Sequence, residues 1–264
     1  MRVGISTASL FLKRRNEEAV ALYSEWGVSV TEVFLSTFSE YGKEYGKLLA
    51  EKKGNVSVNS VHDLTEQFEP QLYAACDRVR ADAFYWLGKV MESAREVGAK
   101  YYTFHGVSRI KRRGNYDNFG FLSPQTRTIA DFCKDYGVTL AYENVEWAVY
   151  NRPGVFRRLK EQCPDLKGVL DVKQARISGY PYGDYIKDMG EDLAYVHFSD
   201  ADGAGNTCLS GRGTFDVEEM VRRLLDVGFT GDILIENYAR DFEKIEDLRA
   251  SYEYLREKID KLTR

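Results

Sequence analysis

Short apolar runs recur along the chain, and after most of them comes a longer stretch with helical spacing. Val3–Ser6, Thr31–Leu35, Val56–His62, Tyr101–His105, Thr139–Glu143, Gly168–Asp171, Leu193–Phe198 and Asp232–Glu236 read as eight strands. Between them the apolar positions return every third or fourth residue. Val217, Met220, Val221, Leu224 and Leu225 make one stripe, opened by Asp216 as a cap with Glu219 three residues on. The stretch from Leu72 to Val97 carries Phe84, Leu87, Met91 and Ala94 on one side, and Lys244 to Leu262 carries Leu248, Tyr252, Leu255 and Ile259. Ser123 and Pro124 predict the start of a helix that ends near Tyr136.

Six helical stretches end in a glycine that precedes a strand: Gly27, Gly54, Gly98, Gly137, Gly190 and Gly228. Glycine suits the left-handed position that closes many helices. Strand and helix in alternation imply parallel strands. Eight such units in 264 residues predict a closed (β/α)8 TIM barrel of class α/β, one domain over residues 1–264. An open doubly wound sheet is the alternative.

Composition narrows the partners. The net charge of −4 argues against a protein that wraps nucleic acid, where a basic face is needed. The four cysteines, Cys76, Cys133, Cys163 and Cys208, are far apart with no C-x-x-C pair, which fits reduced thiols. No run approaches the roughly 18 apolar residues that would cross a bilayer. The expectation is a soluble cytoplasmic protein.

The polar residues that close the strands carry the chemistry. LAYEN runs an apolar strand into Glu143, and ILIEN does the same at Glu236. Strand three ends on His62, strand four on His105, strand six on Asp171 and strand seven on His197. All three histidines of the chain thus fall at strand ends, and in a barrel those ends share the rim where active sites sit. Glu143, Asp171, His197 and Glu236 come from four successive strands and point at one volume. At an effective dielectric of ~20, one like-charge pair at ~4 Å costs about 4 kcal/mol. Either some of these carboxylates bind protons or a cation sits among them. One divalent ion is the simpler solution. Oxygen ligands with one imidazole suit Mn²⁺ first, with Mg²⁺, Co²⁺ or Zn²⁺ as alternatives.

Three further features are weighed against plainer roles. The loop SRIKRRGNYDNFGF holds Arg109, Lys111, Arg112 and Arg113, either a solvated loop or an anion-binding lid. Arg212 lies in Gly211-Arg212-Gly213, whose backbone N–H groups suit an anion such as a phosphate, although a tight turn explains the glycines equally well. Trp147 and Tyr150 follow Glu143 and either stack on a ligand or pack the loop.

LAYEN, GVLDVKQA, YVHFSD, VGAKYYTFHG and SGRGTFDVEEMVRRLLDVGFTGDILIEN together resemble the sugar phosphate isomerase/epimerase superfamily, the xylose-isomerase-like TIM barrels. The resemblance spans most of the chain and is strongest over residues 98–237. It implies that Glu143, Asp171, His197 and Glu236 are metal ligands. It also implies that Glu143 and Glu236 are the catalytic acid and base, working through an enediolate. His62 and His105 match positions that line the pocket or bind extra metals in the DNA repair branch.

The chain departs from the pattern at Lys173 and Gln174, where many relatives have a histidine three residues after the strand-six aspartate. These two residues, His62, His105 and Arg212 are the expected substrate-binding set. The expected activity is a metal-dependent isomerase or epimerase acting on a small polyhydroxylated carbonyl compound. The alternatives are a lyase or dehydratase on a keto-sugar or cyclitol, an endonuclease IV-like phosphodiesterase, and a non-catalytic sugar-binding barrel. Neither nucleic acid nor membrane is an expected partner, and a homo-oligomer is compatible with the chain.

Overall fold

A computed structural model of the chain describes residues 1–64, 68–109 and 117–263. Eight parallel strands close into a barrel: β1 (Val3–Ser6), β2 (Val30–Leu35), β3 (Ser57–Asp63), β4 (Tyr101–Phe104), β5 (Thr139–Glu143), β6 (Lys167–Asp171), β7 (Leu193–Phe198) and β8 (Asp232–Ile235). Each strand pairs with its neighbours in sequence, and β8 closes on β1 through Val3 opposite Ile233 and Ile5 opposite Ile235. That pairing rules out the open sheet. Around the barrel run α1 (Asn16–Glu25), α2 (Lys43–Lys52), α3 (Asp77–Val97), α4 (Phe119–Lys134), α5 (Val155–Lys160), α6 (Val172–Ile177), α7 (Tyr182–Met189), α8 (Val217–Asp226) and α9 (Ile245–Leu262).

The main core lies between strands and helices. Leu87, Met91 and Ala94 of α3 are buried there, as are Met220, Val221 and Leu224 of α8 and Leu248, Tyr252, Leu255 and Ile259 of α9. Removing such side chains from water stabilises by about 25 cal/mol per Å² of apolar surface. A smaller cluster fills the barrel interior: Val30, Ala141, Val169, Ala194, Tyr195 and Leu234. The six punctuating glycines all have positive φ, from 54° to 80°. The four cysteines are free thiols. No helix among the described residues is long and apolar enough to cross a membrane.

The structure departs from the sequence reading in three places. Leu225 is half exposed, because the α8 stripe is narrower than the run of apolar residues. Helix α4 starts at Phe119, so Pro124 lies inside it rather than at its start. Phe119 is buried under the Arg158 guanidinium, 3.8 Å from its ring centre, and this contact anchors the extra turn. Strands β4 and β8 stop one residue early, leaving His105 and Glu236 just past the ladder, and β3 runs one residue further to Asp63, so His62 is its penultimate residue.

Candidate functional site

The register brings the strand-end residues together. Asp171 pairs with His197, and His197 pairs in turn with Leu234, two residues before Glu236. His197 Nδ1 stands 3.1 Å from Glu143 Oε1 and 3.1 Å from Glu236 Oε2. Glu143, Asp171, His197 and Glu236 each offer one atom to a set whose members all lie within 4.8 Å of one another. The asparagines of the two Glu-Asn motifs act as clamps. Asn144 Nδ2 donates to the Asp171 carbonyl and its Oδ1 accepts from the Asp171 N–H. Asn237 Nδ2 donates to the Cys208 carbonyl, and its N–H bonds Ser9 Oγ.

The donor set fits a divalent cation. Glu143 Oε2 and His62 Nδ1 are buried with no hydrogen-bond partner among the described residues. Glu143 Oε2 does lie 3.0 Å from His105 Nε2, close enough to feel its charge. Buried polar atoms are normally satisfied, so such orphans call for an ion or ligand. Three carboxylates and an imidazole are hard oxygen and borderline nitrogen donors of the kind taken by manganese, magnesium or zinc. His62, His105 and Glu143 converge as a further donor group that shares Glu143 with the first.

Electrostatics in the site is tightly balanced. Burial works to raise the Glu143 pKa, but the charge of His197 and the proximity of His105 outweigh it and hold the carboxyl below its usual range. Asp171 is pushed up to about 6, by burial first and then by the Glu143 and Glu236 carboxylates, with Lys173 opposing. Lys173 is only 3% exposed, and its Nζ lies 3.4 Å from Asp171 Oδ2 and 4.5 Å from the centre of the Tyr238 ring. Burial favours its neutral form, yet the charges of Asp171 and Glu236 prevail and keep it a cation. Gln174 donates its backbone N–H to Asp171 Oδ1, and its side-chain oxygen accepts from the Glu146 N–H.

A cavity of about 360 Å³ opens over this group and is also lined by His62, His105, Lys173 and Gln174. Its mouth is aromatic, formed by Phe11, Phe34, Trp147 and Tyr238. Trp147 sits 5.5 Å from the His105 ring, whereas Tyr150 is fully buried against Tyr142 and Tyr185 and packs the loop.

One expected residue stands apart. The Arg212 guanidinium pairs with Asp247 at 2.9 Å on α9 and does not line the cavity. The anion site expected at its glycines is taken by the chain itself: Asp200 Oδ2 accepts the N–H groups of Gly211 and Gly213. An internal carboxylate already fills the backbone cradle. Of the basic loop, Lys111, Arg112 and Arg113 lie outside the described residues, while the Arg109 N–H bonds the Trp147 carbonyl.

Three buried acids that adjoin the site histidines or the residues next to them were missed by the sequence reading. Glu32 on β2 is fully buried beside His197. Asp63 and Glu69 flank the Tyr102 phenol, which contacts Asp63 Oδ1 at 2.5 Å and Glu69 Oε1 at 2.7 Å. Glu69 Oε2 in turn accepts the N–H groups of His105 and Gly106. For Glu32 the available signal was a charged residue inside an apolar strand, as in TEVFL; Asp63 and Glu69 carried no such signal.

The known proteins that this chain resembles share its barrel, and several of them are sugar epimerases. Fructoselysine 3-epimerase of Escherichia coli O157:H7 is 22% identical over 166 residues, 61% of this chain, and the match spans 60% of that protein's length. A crystal structure of D-psicose 3-epimerase in the presence of D-fructose superposes with a TM-score of 0.80 at 16% identity, covering 97% of this chain and 96% of the other. The IOLI protein, solved with a zinc atom, superposes with a TM-score of 0.75 at 16% identity, covering 100% of this chain and 98% of the other. The model for the xylose isomerase-like TIM barrels matches residues 20–258, and the chain belongs to that family.

Proposed function

We propose that the chain is a divalent-metal-dependent epimerase or isomerase acting on a small polyhydroxylated carbonyl compound, a sugar or a close derivative. The observation that carries this reading is the convergence of Glu143, Asp171, His197 and Glu236 beneath an open cavity. The 3-epimerases among the similar proteins support the same class of substrate.

In this reading Glu143, Asp171, His197 and Glu236 hold the ion, with manganese the first expectation. When bound, the ion supplies Lewis acidity that polarises a carbonyl and its neighbouring hydroxyl. Glu143 and Glu236, contributed by strands three places apart around the barrel, exchange the proton next to that carbonyl. One accepts the C–H proton as a carboxylate, and the other, in its acid form, returns a proton to the carbon, so charge and atoms balance. Lys173 adds a fixed positive charge beside the developing enediolate, a favourable placement in a buried site. His62, His105 and Gln174 orient hydroxyls, and the aromatic mouth receives the apolar face of the substrate.

The test is exchange with solvent. Manganese-loaded protein, incubated in D₂O with a panel of ketoses and keto-sugars, is expected to incorporate deuterium at the carbon beside the carbonyl. No incorporation with any of them, from protein shown to hold the metal, rejects the reading. Loss of water or of a substituent from the product assigns the lyase reading instead.

A further inference from the structure

Glu32 has no role in the chemistry above, yet it is fully buried inside the barrel. An ionised carboxylate in such a place is costly unless it is well partnered. The register supplies the partners. Ser6, Glu32 and Ser60 lie side by side on β1, β2 and β3. Ser6 Oγ donates to Glu32 Oε1 at 3.0 Å, while Ser60 Oγ at 2.8 Å and Thr103 Oγ1 at 2.5 Å donate to Oε2. The fourth neighbour is His197, whose Nε2 lies 3.1 Å from Oε2.

A carboxylate can only accept, so the ring nitrogen facing it must carry a proton. Nδ1 also faces carboxylates, 3.1 Å from each, but they are Glu143 and Glu236, the residues that would hold the ion with it. In a loaded site the Nδ1 proton is therefore the one given up, and the lone pair of the neutral ring sits there. We propose that Glu32 is a positioning residue for the metal centre: by accepting the Nε2 proton of His197 it fixes the tautomer and aims Nδ1 at the space between Glu143 and Glu236. The inference rests on the reading that these residues hold a divalent ion. Carboxylates hydrogen-bonded behind a metal-bound imidazole commonly act in this way. Glu32 also lies within reach of His62 and Glu236 as a candidate ligand in its own right. Its oxygens, however, are already taken by three hydroxyls and an imidazole, which suits an orienting group better than a ligand.

Calorimetric titration with MnCl₂ separates the outcomes. Glu32→Gln is expected to bind the same number of ions as the wild type with affinity lower by about 10- to 100-fold. Thermal unfolding of the metal-free forms reports the purely structural effect of the change separately. Wild type without measurable manganese binding overturns the metal reading itself. Wild type that binds, with Glu32→Gln binding equally tightly, overturns the role of Glu32. Loss of an equivalent of metal makes Glu32 a ligand and overturns it as well. A second measurement needs no variant and holds if Glu32→Gln does not fold. With only three histidines in the chain, ¹⁵N-histidine labelling of the zinc-loaded wild type resolves each ring. His197 is expected to show a protonated Nε2 and a metal-shifted Nδ1, and the opposite tautomer overturns the proposal.

Discussion

Asn144, immediately after β5, grips the backbone of Asp171 at the end of β6 through two hydrogen bonds, Nδ2 to the carbonyl oxygen at 2.9 Å and the Asp171 N–H to Oδ1 at 2.8 Å. The pair fixes the ends of two neighbouring strands at the point where each delivers a carboxylate. Asn144→Ala strands the buried Asp171 N–H, whereas the Asp171 carbonyl keeps the first helical bond as the cap of α6. The substitution is expected to cost about 1–3 kcal/mol in stability, the usual cost of one unsatisfied buried group. Chemical denaturation measures the loss, and manganese affinity should fall with it. A change below ~0.5 kcal/mol would mean the clamp is dispensable.

Lys173 is the cation that accompanies the carboxylate cluster. Lys173→Gln keeps a polar side chain of similar reach but removes the charge. The proposed enediolate loses a stabilising partner, and kcat is expected to fall by about 10²- to 10³-fold, the usual effect of deleting one electrostatic contact at a site of developing charge. Steady-state kinetics on the substrate found by deuterium exchange makes the measurement. An unchanged kcat with a raised KM would instead assign Lys173 to ground-state binding.

Asp63, Tyr102 and Glu69 make a pH prediction. The phenol brings one proton to two carboxyl groups, so the trio needs a second. Burial, and then the charge of Glu69, hold Asp63 well above the usual carboxyl range, so the fold favours its neutral form. The sign follows: this contribution to stability is fully present below the unfolded value of about 3.9 and is lost as pH rises through the raised folded value. Asp63→Asn cannot ionise and so avoids that loss. Its melting temperature relative to wild type is expected to improve by a few degrees between about pH 5 and about pH 8.5. A difference constant across that range would remove the proton from Asp63.

Metal removal tests the centre without any substrate. A ligand that binds only the folded state stabilises it by about 2.7 kcal/mol at a hundred times its Kd. Manganese added to chelator-treated protein is expected to raise the melting temperature by about 5–10 °C at that saturation. The Glu236→Ala variant, which lacks one of the four donors, should show a smaller rise.

Arg212 provides the negative control. Its partner Asp247 and its own exposure make the pair a surface ion pair, worth about 0–1 kcal/mol. Arg212→Ala is expected to leave kcat and KM within about twofold and stability within ~1 kcal/mol. A marked rise in KM would bring the residue back into the site.

The sequence by itself determined the barrel and the identity of its strand ends. Period-2 and period-3.6 patterns report which face of each element is buried, and glycines mark where helices must stop. Because strand ends in a parallel barrel share one rim, His62, His105, Glu143, Asp171, His197 and Glu236 were legible as neighbours before any coordinates. Tertiary structure alone decided what lies behind them. Glu32 sits in mid-strand, and only the side-by-side register of Ser6, Glu32 and Ser60 turns an unexpected charge into a partnered one. Asp63 and Glu69 meet through Tyr102 across a gap in sequence that no local pattern encodes. Arg212 fails as a pocket residue for the same reason: whether a loop donates its N–H groups to a ligand or to Asp200 depends on packing between distant segments. Periodicity fixes which way a side chain faces, whereas its partner is fixed by register and loop closure, which are properties of the whole fold.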